Sequence, residues 1–208
     1  MRNLSHTPMP KIDWHALYAW KTGGNLVFSK SKFEELKLLE RPFISLVKKY
    51  VPEGGRILDA GCGLGRACML LSLAGYKMTG VDKDRRMLAI ARRNVSKFGG
   101  KARFALADLT LLPFKRDSFD AITHQGILEH YYAGQAKAIL AHHLKIAPLV
   151  IFSVPIKSPH TSRYFSSDRF ERNIRSVGDW KRTLGKFHVL ALSEATQRTH
   201  NMIAVISR

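Results

Sequence analysis

Short apolar runs alternate along this chain with stretches in which apolar residues return every three or four positions. Runs rich in β-branched residues at Arg56–Ala60, Lys77–Asp82, 102–108, 119–124 and 149–154 have the length and bounds of buried strands. Between them, 65–74, 85–98 and Ala133–Ile146 have a helical period; in the second, Met87, Ile90, Ala91, Val95 and Phe98 share one face. Strands separated by helices of that length cannot be hairpin partners, so they should lie parallel in one sheet with helices on both faces. The pattern predicts a doubly wound α/β domain.

Both ends depart from the alternation. Ser31 and Glu34 have the spacing of a capping box for a helix that Pro42 interrupts, before Phe43, Ile44, Leu46, Val47 and Tyr50 resume an apolar face. At the other end, 187–192 and 201–207 are strand-like with no room for a crossover helix between them, which predicts antiparallel pairing at the sheet edge. The interval 156–176 lacks periodicity and is expected to be a long loop over the ligand side, carrying His160, Arg163, Tyr164, Phe165, Arg169 and Arg172. A helix should follow from Val177, capped by Ser176 with Asp179 and ended by Gly185. There is no internal repeat; residues 1–47 are expected to form a helical segment covering part of a site built on 48–208. Trp14, Tyr18 and Trp20 would either wall that site or fill a helix core.

The 208 residues, 45% hydrophobic and 24% charged, suit one globular domain. Lys and Arg number 34 against 16 Asp and Glu, a net charge of +18 that attracts anionic partners. No apolar run approaches the ~20 residues of a bilayer span, and 1–15 lacks the apolar core of a secretory signal, so no membrane contact and a cytoplasmic location are expected. Two cysteines, Cys62 and Cys68, match neither a disulfide framework nor a zinc site, and no metal is expected. His142 and His143 diverge by about 100° on a helix and read as surface residues rather than joint ligands.

The sharpest local signal is a buried strand running into a Gly-rich turn that opens a helix, with Asp59 two residues before Gly61, then Gly63 and Gly65. A dinucleotide fingerprint would place its third glycine at position 66, which is Arg66, and no Gly-Lys-Ser/Thr ending marks a P-loop. Alone, the turn is equally consistent with a tight bend without function. Two further acids extend the pattern. Asp82 ends the second strand, where a carboxylate can accept from both hydroxyls of a ribose. Asp108 ends the third, where it can accept from an adenine amine beside the apolar Leu109. Each acid singly could be a helix cap; three at consecutive strand ends are not a packing requirement.

On these residues the chain resembles the class I S-adenosylmethionine-dependent methyltransferases, in particular the small single-domain, type 11-like branch with a Leu-Glu-His segment after the fourth strand. The resemblance covers about 48–155. It rests on the Asp59 to Gly65 turn, Val81-Asp82, Ala107-Asp108-Leu109, Phe119-Asp120 and Ile127-Leu128-Glu129-His130. It implies S-adenosyl-L-methionine as cofactor, with Gly61, Cys62, Gly63 and Gly65 against its amino-acid tail and sulfur and Asp59 near its ammonium. Asp82 and Lys83 would then lie at the ribose, Asp108 and Leu109 at the adenine, and Gln125 with Gly126 beside the methyl group. It also implies the strand order 3-2-1-4-5-7-6 with the seventh antiparallel.

A sulfonium methyl is already activated, so holding an acceptor in line supplies much of the catalysis, and a base is needed only for a protic acceptor. The resemblance puts the acceptor side after the fourth strand, with His124, Glu129 and Tyr132 as expected substrate contacts, joined by Arg163 and Tyr164 from the long loop. His130 is the candidate base, since imidazole titrates near neutrality, or else a packing residue. The family's Asn/Asp-Pro-Pro-aromatic segment for amino methylation is replaced by His124-Gln125-Gly126. Neither cysteine is placed as the nucleophile of carbon-5 pyrimidine chemistry, and Asp120 stands at the wrong end of strand four for a ribose 2′-O tetrad. The expected acceptor is a small molecule, acted on by a monomer or weak dimer. RNA, drawn by Lys83, Arg85, Arg86, Arg92, Arg93, Lys97, Lys101 and Arg103, is the alternative, and a non-catalytic scaffold a third.

Overall fold

The computed structural model describes residues 12–166, 172–196 and 199–208. Helices α1 (Trp14–Lys21), α2 (Lys30–Leu39) and α3 (Arg41–Tyr50) precede the alternating unit. That unit runs β1 (Arg56–Ala60), α4 (Arg66–Leu73), β2 (Lys77–Asp82), α5 (Arg85–Lys97), β3 (Ala102–Leu106), β4 (Ala121–Gln125), α6 (Ala133–Ile146) and β5 (Leu149–Pro155). Helices α7 (Pro159–Tyr164) and α8 (Val177–Leu184) lead to β6 (His188–Thr196) and β7 (His200–Ser207). Single 3-10 turns at Leu109–Leu111 and Leu128–His130 follow β3 and β4.

The seven strands form one sheet in the order β3-β2-β1-β4-β5-β7-β6, with β7 antiparallel to both neighbours and the rest parallel, as the resemblance implied. Strand β5 shows why its sequence is continuously apolar. Val150, Phe152 and Val154 enter one core with α6 and α8, while Ile151 enters the other with α3, α4 and α5. The register aligns the carboxyl ends: Ala60 is opposite Val81, and Asp82 opposite Leu106. Asp59, Asp82 and Asp108 therefore stand along one rim of the sheet.

Several expectations need correction. Helix α2 is capped by Ser29, whose extended backbone lets its hydroxyl accept from Lys32 N at 3.0 Å; Ser31 lies inside the helix, so no Ser31–Glu34 capping box forms. Strand β3 stops at Leu106, because Asp108 turns away to cap the 3-10 turn, its Oδ1 accepting from Thr110 N at 2.8 Å. Strand β4 begins only at Ala121, since Asp120 is occupied at the strand entrance with the Arg56 amide at 2.7 Å and its guanidinium at 3.0 Å. The interval 156–176 is not a bare loop. Ser158 caps α7, and Ile156 bridges Arg175 as an added parallel pair; Arg169 lies outside the described residues. Helix α8 has its Ser176–Asp179 capping box as expected.

The tandem histidines of α6 are not surface residues. His143 is fully buried and its Nε2 lies 2.9 Å from the Leu109 carbonyl, while His142 Nε2 accepts from Leu112 N at 3.1 Å. Divergent directions place one on each end of the same 3-10 turn, which a helical wheel without its neighbour cannot show.

Candidate active site

The Gly-rich turn is shaped by its backbone. Gly61 N and Cys62 N both donate to Val81 O at 2.8 Å, folding the chain over the end of β2. Gly61 has φ +77°, and a Cβ there would stand 2.7 Å from Ile127 Cδ1, so only glycine permits both the turn and the close approach of the segment after β4. Gly65 has a different task. A Cβ there would meet Ala91 Cβ at 2.9 Å, so its missing side chain lets α4 pack onto α5. Gly65 is not among the residues lining the cavity below the turn.

Below the turn a cavity of about 1300 Å³ opens along the rim. Its wall brings together Asp59, Gly61, Cys62, Gly63, Asp82, Lys83, Asp108, Leu109 and Gln125 from the expected cofactor set, and Glu129, His130 and Tyr164 from the acceptor set. Asp82 is held by two amides: Gly63 N reaches Oδ2 and Asp84 N reaches Oδ1, each at 3.0 Å. Asp59 is buried, accepts from Thr123 Oγ1 at 3.2 Å and from Cys68 Sγ at 3.6 Å, and has no ion-pair partner among the described residues. Burial pushes its carboxyl up to about 6. A buried acid on a cavity wall without a cation of its own suits a ligand that brings an ammonium or sulfonium.

Three expected acceptor residues are elsewhere. His124 is inside β4, 0% exposed, stacked 5.5 Å from Phe152 and edge-on to His143; burial holds its imidazole well below the usual range. The pleat decides this, because β4 side chains alternate and His124 points into the α6 core while Gln125 reaches the cavity. Tyr132 is 48% exposed at the α6 N-cap, and Arg163 is an exposed residue of α7; neither lines the cavity.

His130 does line it, its ring edge-on to Trp14 at 4.7 Å, and burial holds its pKa down to about 4. Its Nε2 is 3.8 Å from Glu129 Oε1. Glu129 is 3% exposed, and burial, opposed by Arg172 and Arg175, pushes its carboxyl up to about 7. The segment behind it is pinned to the Leu128–His130 turn by Asn173 N donating to Glu129 O at 2.7 Å and by Arg175 donating to Tyr131 O.

A second network at the cavity wall has no motif in the sequence to mark it. Glu40, buried at the junction of α2 and α3, pairs with Arg66 Nε at 3.1 Å and accepts from Gln125 Nε2 at 2.7 Å, while Arg66 also donates to Gln125 Oε1 at 2.8 Å. These three close a ring across α3, α4 and β4 at the cavity wall. Helix α1 spans the mouth. Asp13 pairs with Arg86 at 2.9 Å, Trp14 meets His130, and Lys21 Nζ lies 5.9 Å over the Tyr164 ring. Trp14, Tyr18 and Trp20 all line the cavity.

A parallel sheet with one antiparallel strand near its edge, and three acids on a Gly-turned rim facing a single cavity, define a nucleoside-cofactor transferase fold. Residues 57–146, somewhat less than half of the chain, match the family model described as a methyltransferase domain. Among curated relatives, the ubiquinone biosynthesis O-methyltransferase of Methylocella silvestris is 35% identical over 85 residues, covering 39% of this chain and 33% of that protein. Its counterpart from Nitrosococcus oceani is 34% identical over 108 residues, covering 51% and 46%. This chain thus spans less than half the length of either relative. Among solved structures, the magnesium protoporphyrin IX methyltransferase of Synechocystis with bound S-adenosylhomocysteine superposes with a TM-score of 0.71 at 20% identity, over 93% of this chain and 94% of that one. That likeness is one of fold.

Proposed function

We propose that this chain transfers the methyl group of S-adenosylmethionine to a small-molecule acceptor by in-line displacement. The observation that carries the reading is the convergence of Asp59, Asp82 and Asp108, from three successive strand ends, with the Gly61 turn on one cavity of about 1300 Å³. Asp82, pre-set by two amides, would accept from the ribose hydroxyls, with Lys83 beside it. Both bonds of the Asp108 cap fall on Oδ1, and its carboxylate with Leu109 would receive the adenine. Asp59 would face the ammonium, and Gly61, Cys62 and Gly63 the tail. The cofactor supplies an activated methyl; the chain's part is to hold the acceptor beside Gln125 and Gly126, with Glu129, His130 and Tyr164 on the far wall and α1 as cover.

Calorimetry with S-adenosylhomocysteine and label transfer from methyl-labelled cofactor test this. The expected result is saturable binding and label in a small-molecule fraction; absence of binding refutes it.

The net charge of +18 favours RNA as a second reading. Part of the basic cluster is already engaged within the chain: Arg86 with Asp84 and Asp13, Arg92 with the Phe104 carbonyl, and Lys97 with the Phe28 carbonyl. RNA binding should weaken steeply with salt through counterion release, whereas turnover of a small neutral acceptor should not.

A further inference from the structure

Among the described residues that line the cavity, the buried side-chain atoms without a hydrogen-bond partner fall at one place. Glu129 Oε2 and His130 Nδ1 are buried side-chain atoms without a hydrogen-bond partner, on two adjacent residues that line the cavity. Unmade hydrogen bonds of buried groups cost more than made ones return, so two side by side mark a place that a ligand's polar group completes. Their position is specific. A Cβ on Gly126 would lie 3.4 Å from Glu129 Oε1, which puts the carboxyl against the exit of β4, where the proposed methyl transfer takes place. The same cavity is lined by the aromatic side chains of Trp14, Tyr18, Trp20, Tyr131, Tyr164 and Phe165.

The two residues are not equivalent. His130 Nε2 lies 3.8 Å from Glu129 Oε1, while its Nδ1, on the other side of the ring, has no partner. Its imidazole, wedged against Trp14 and buried, is held neutral by its surroundings and takes up a proton only in acid. Glu129 has the opposite character. Its carboxyl is enclosed, with Arg172 and Arg175 of the segment after α7, His130 of its own turn and Tyr18 of α1 as the ionisable groups within range, and it exchanges its proton near neutrality. A base works best when its affinity for the proton matches the ambient pH, and of the pair Glu129 meets that condition.

We propose that Glu129 is the catalytic proton acceptor of this site and that the acceptor it serves is a hydroxyl carried on a flat apolar frame. The assignment rests on the methyltransferase reading and adds the acceptor atom to it. The hydroxyl donates to Glu129 Oε2, with His130 positioning the carboxyl through Nε2. As the acceptor oxygen forms its bond to the methyl carbon, the carbon–sulfur bond breaks with its electron pair remaining on sulfur. The oxygen's proton passes to Glu129 and then to solvent. Without that transfer the product would be a protonated ether, so a protic acceptor requires a base here and an aprotic one does not.

Phenol and anisole serve as probes, since anisole keeps the ring and oxygen and replaces the hydroxyl proton with a methyl group. The protein, saturated with S-adenosylhomocysteine and carrying carbon-13 carboxyl-labelled glutamate, is titrated with each; the Glu129 resonance is identified by its absence in Glu129→Gln. The proposal expects a titration midpoint near neutrality, a shift on adding phenol, and no shift with anisole. Should the Glu129→Gln protein fail to fold, Glu129→Asp identifies the same resonance. A carboxyl that ionises below pH 5 in the complex, or that responds to neither probe or to both alike, overturns the assignment. Failure of the wild type to bind S-adenosylhomocysteine at all is a separate outcome and removes the methyltransferase reading itself. With any hydroxyl acceptor that turns over, Glu129→Gln should lower kcat by about 100-fold or more while KM and S-adenosylhomocysteine affinity stay within threefold, and His130→Ala should cost less than Glu129→Gln.

Discussion

On one side of the cavity stand Asp82 and Asp108, each at the end of its own strand and each already held by backbone amides of the turn it caps or supports. Across from them Glu129, His130, Trp14, Tyr164 and Arg172 come from the turn after β4, from α1, from α7 and from the segment beyond it. The first side is fixed by local backbone geometry, its carboxylates held by amides of their own turns; the second is assembled from distant segments and keeps unpartnered buried atoms. Rim chemistry that must fit one invariant ligand can be written into strand ends and glycines. A wall that recognises a particular acceptor depends on how separate segments meet, and its open valences are where that acceptor belongs.

Replacing a rim acid should give the largest effect. Asp82→Ala removes charge-assisted bonds to two hydroxyls and releases the Gly63 and Asp84 amides, so S-adenosylhomocysteine binding should fall roughly 100-fold, about 3 kcal/mol. Calorimetry measures this directly, and an affinity within threefold of wild type would show that the rim does not hold the ribose.

The acceptor wall should show itself instead in the pH dependence of stability. Glu129 is raised from 4.5 to about 7, so the folded chain keeps a proton that the unfolded chain releases. Its contribution is complete below pH 4.5 and is lost as pH rises to 7. Asp59, raised from 3.8 to about 6, acts in the same direction over its own window. His130 and His143, lowered from 6.5 to about 4, act in the opposite one: their folded forms resist protonation, and stability falls as pH drops through that interval. Glu129→Gln should therefore gain on wild type by about 3 kcal/mol between pH 4 and pH 8. Thermal melts at both values decide it, and a constant offset between the two proteins refutes the assigned burial.

Smaller still is the effect expected of Trp14→Ala, which loses the edge contact to His130 without touching the rim. Stability should fall by about 1 kcal/mol and S-adenosylhomocysteine affinity by less than threefold, while label transfer to an acceptor drops. Equal losses in cofactor binding and transfer would merge the two sides into one. At the bottom of the scale, Tyr132→Ala and Arg163→Ala should change neither binding nor transfer measurably, because both side chains lie outside the cavity.

The sequence by itself determined the sheet's parallel half, with β1 and β2 at their observed limits, the antiparallel tail, the α8 cap and the rim acids. Those features follow from period, from glycine at a positive φ and from strand-end position, all properties of a few consecutive residues. Only the tertiary structure decided that His124 faces the core and Gln125 the cavity, that Gly65 serves helix packing, and that His142 and His143 brace the turn beside Leu109. It alone brought Glu40 to Arg66 and Gln125, and Trp14 to His130. Each of those outcomes depends on which face of an element meets a neighbour from another element, and that choice is made by the packing of the whole sheet and its helices, with no local pattern to announce it.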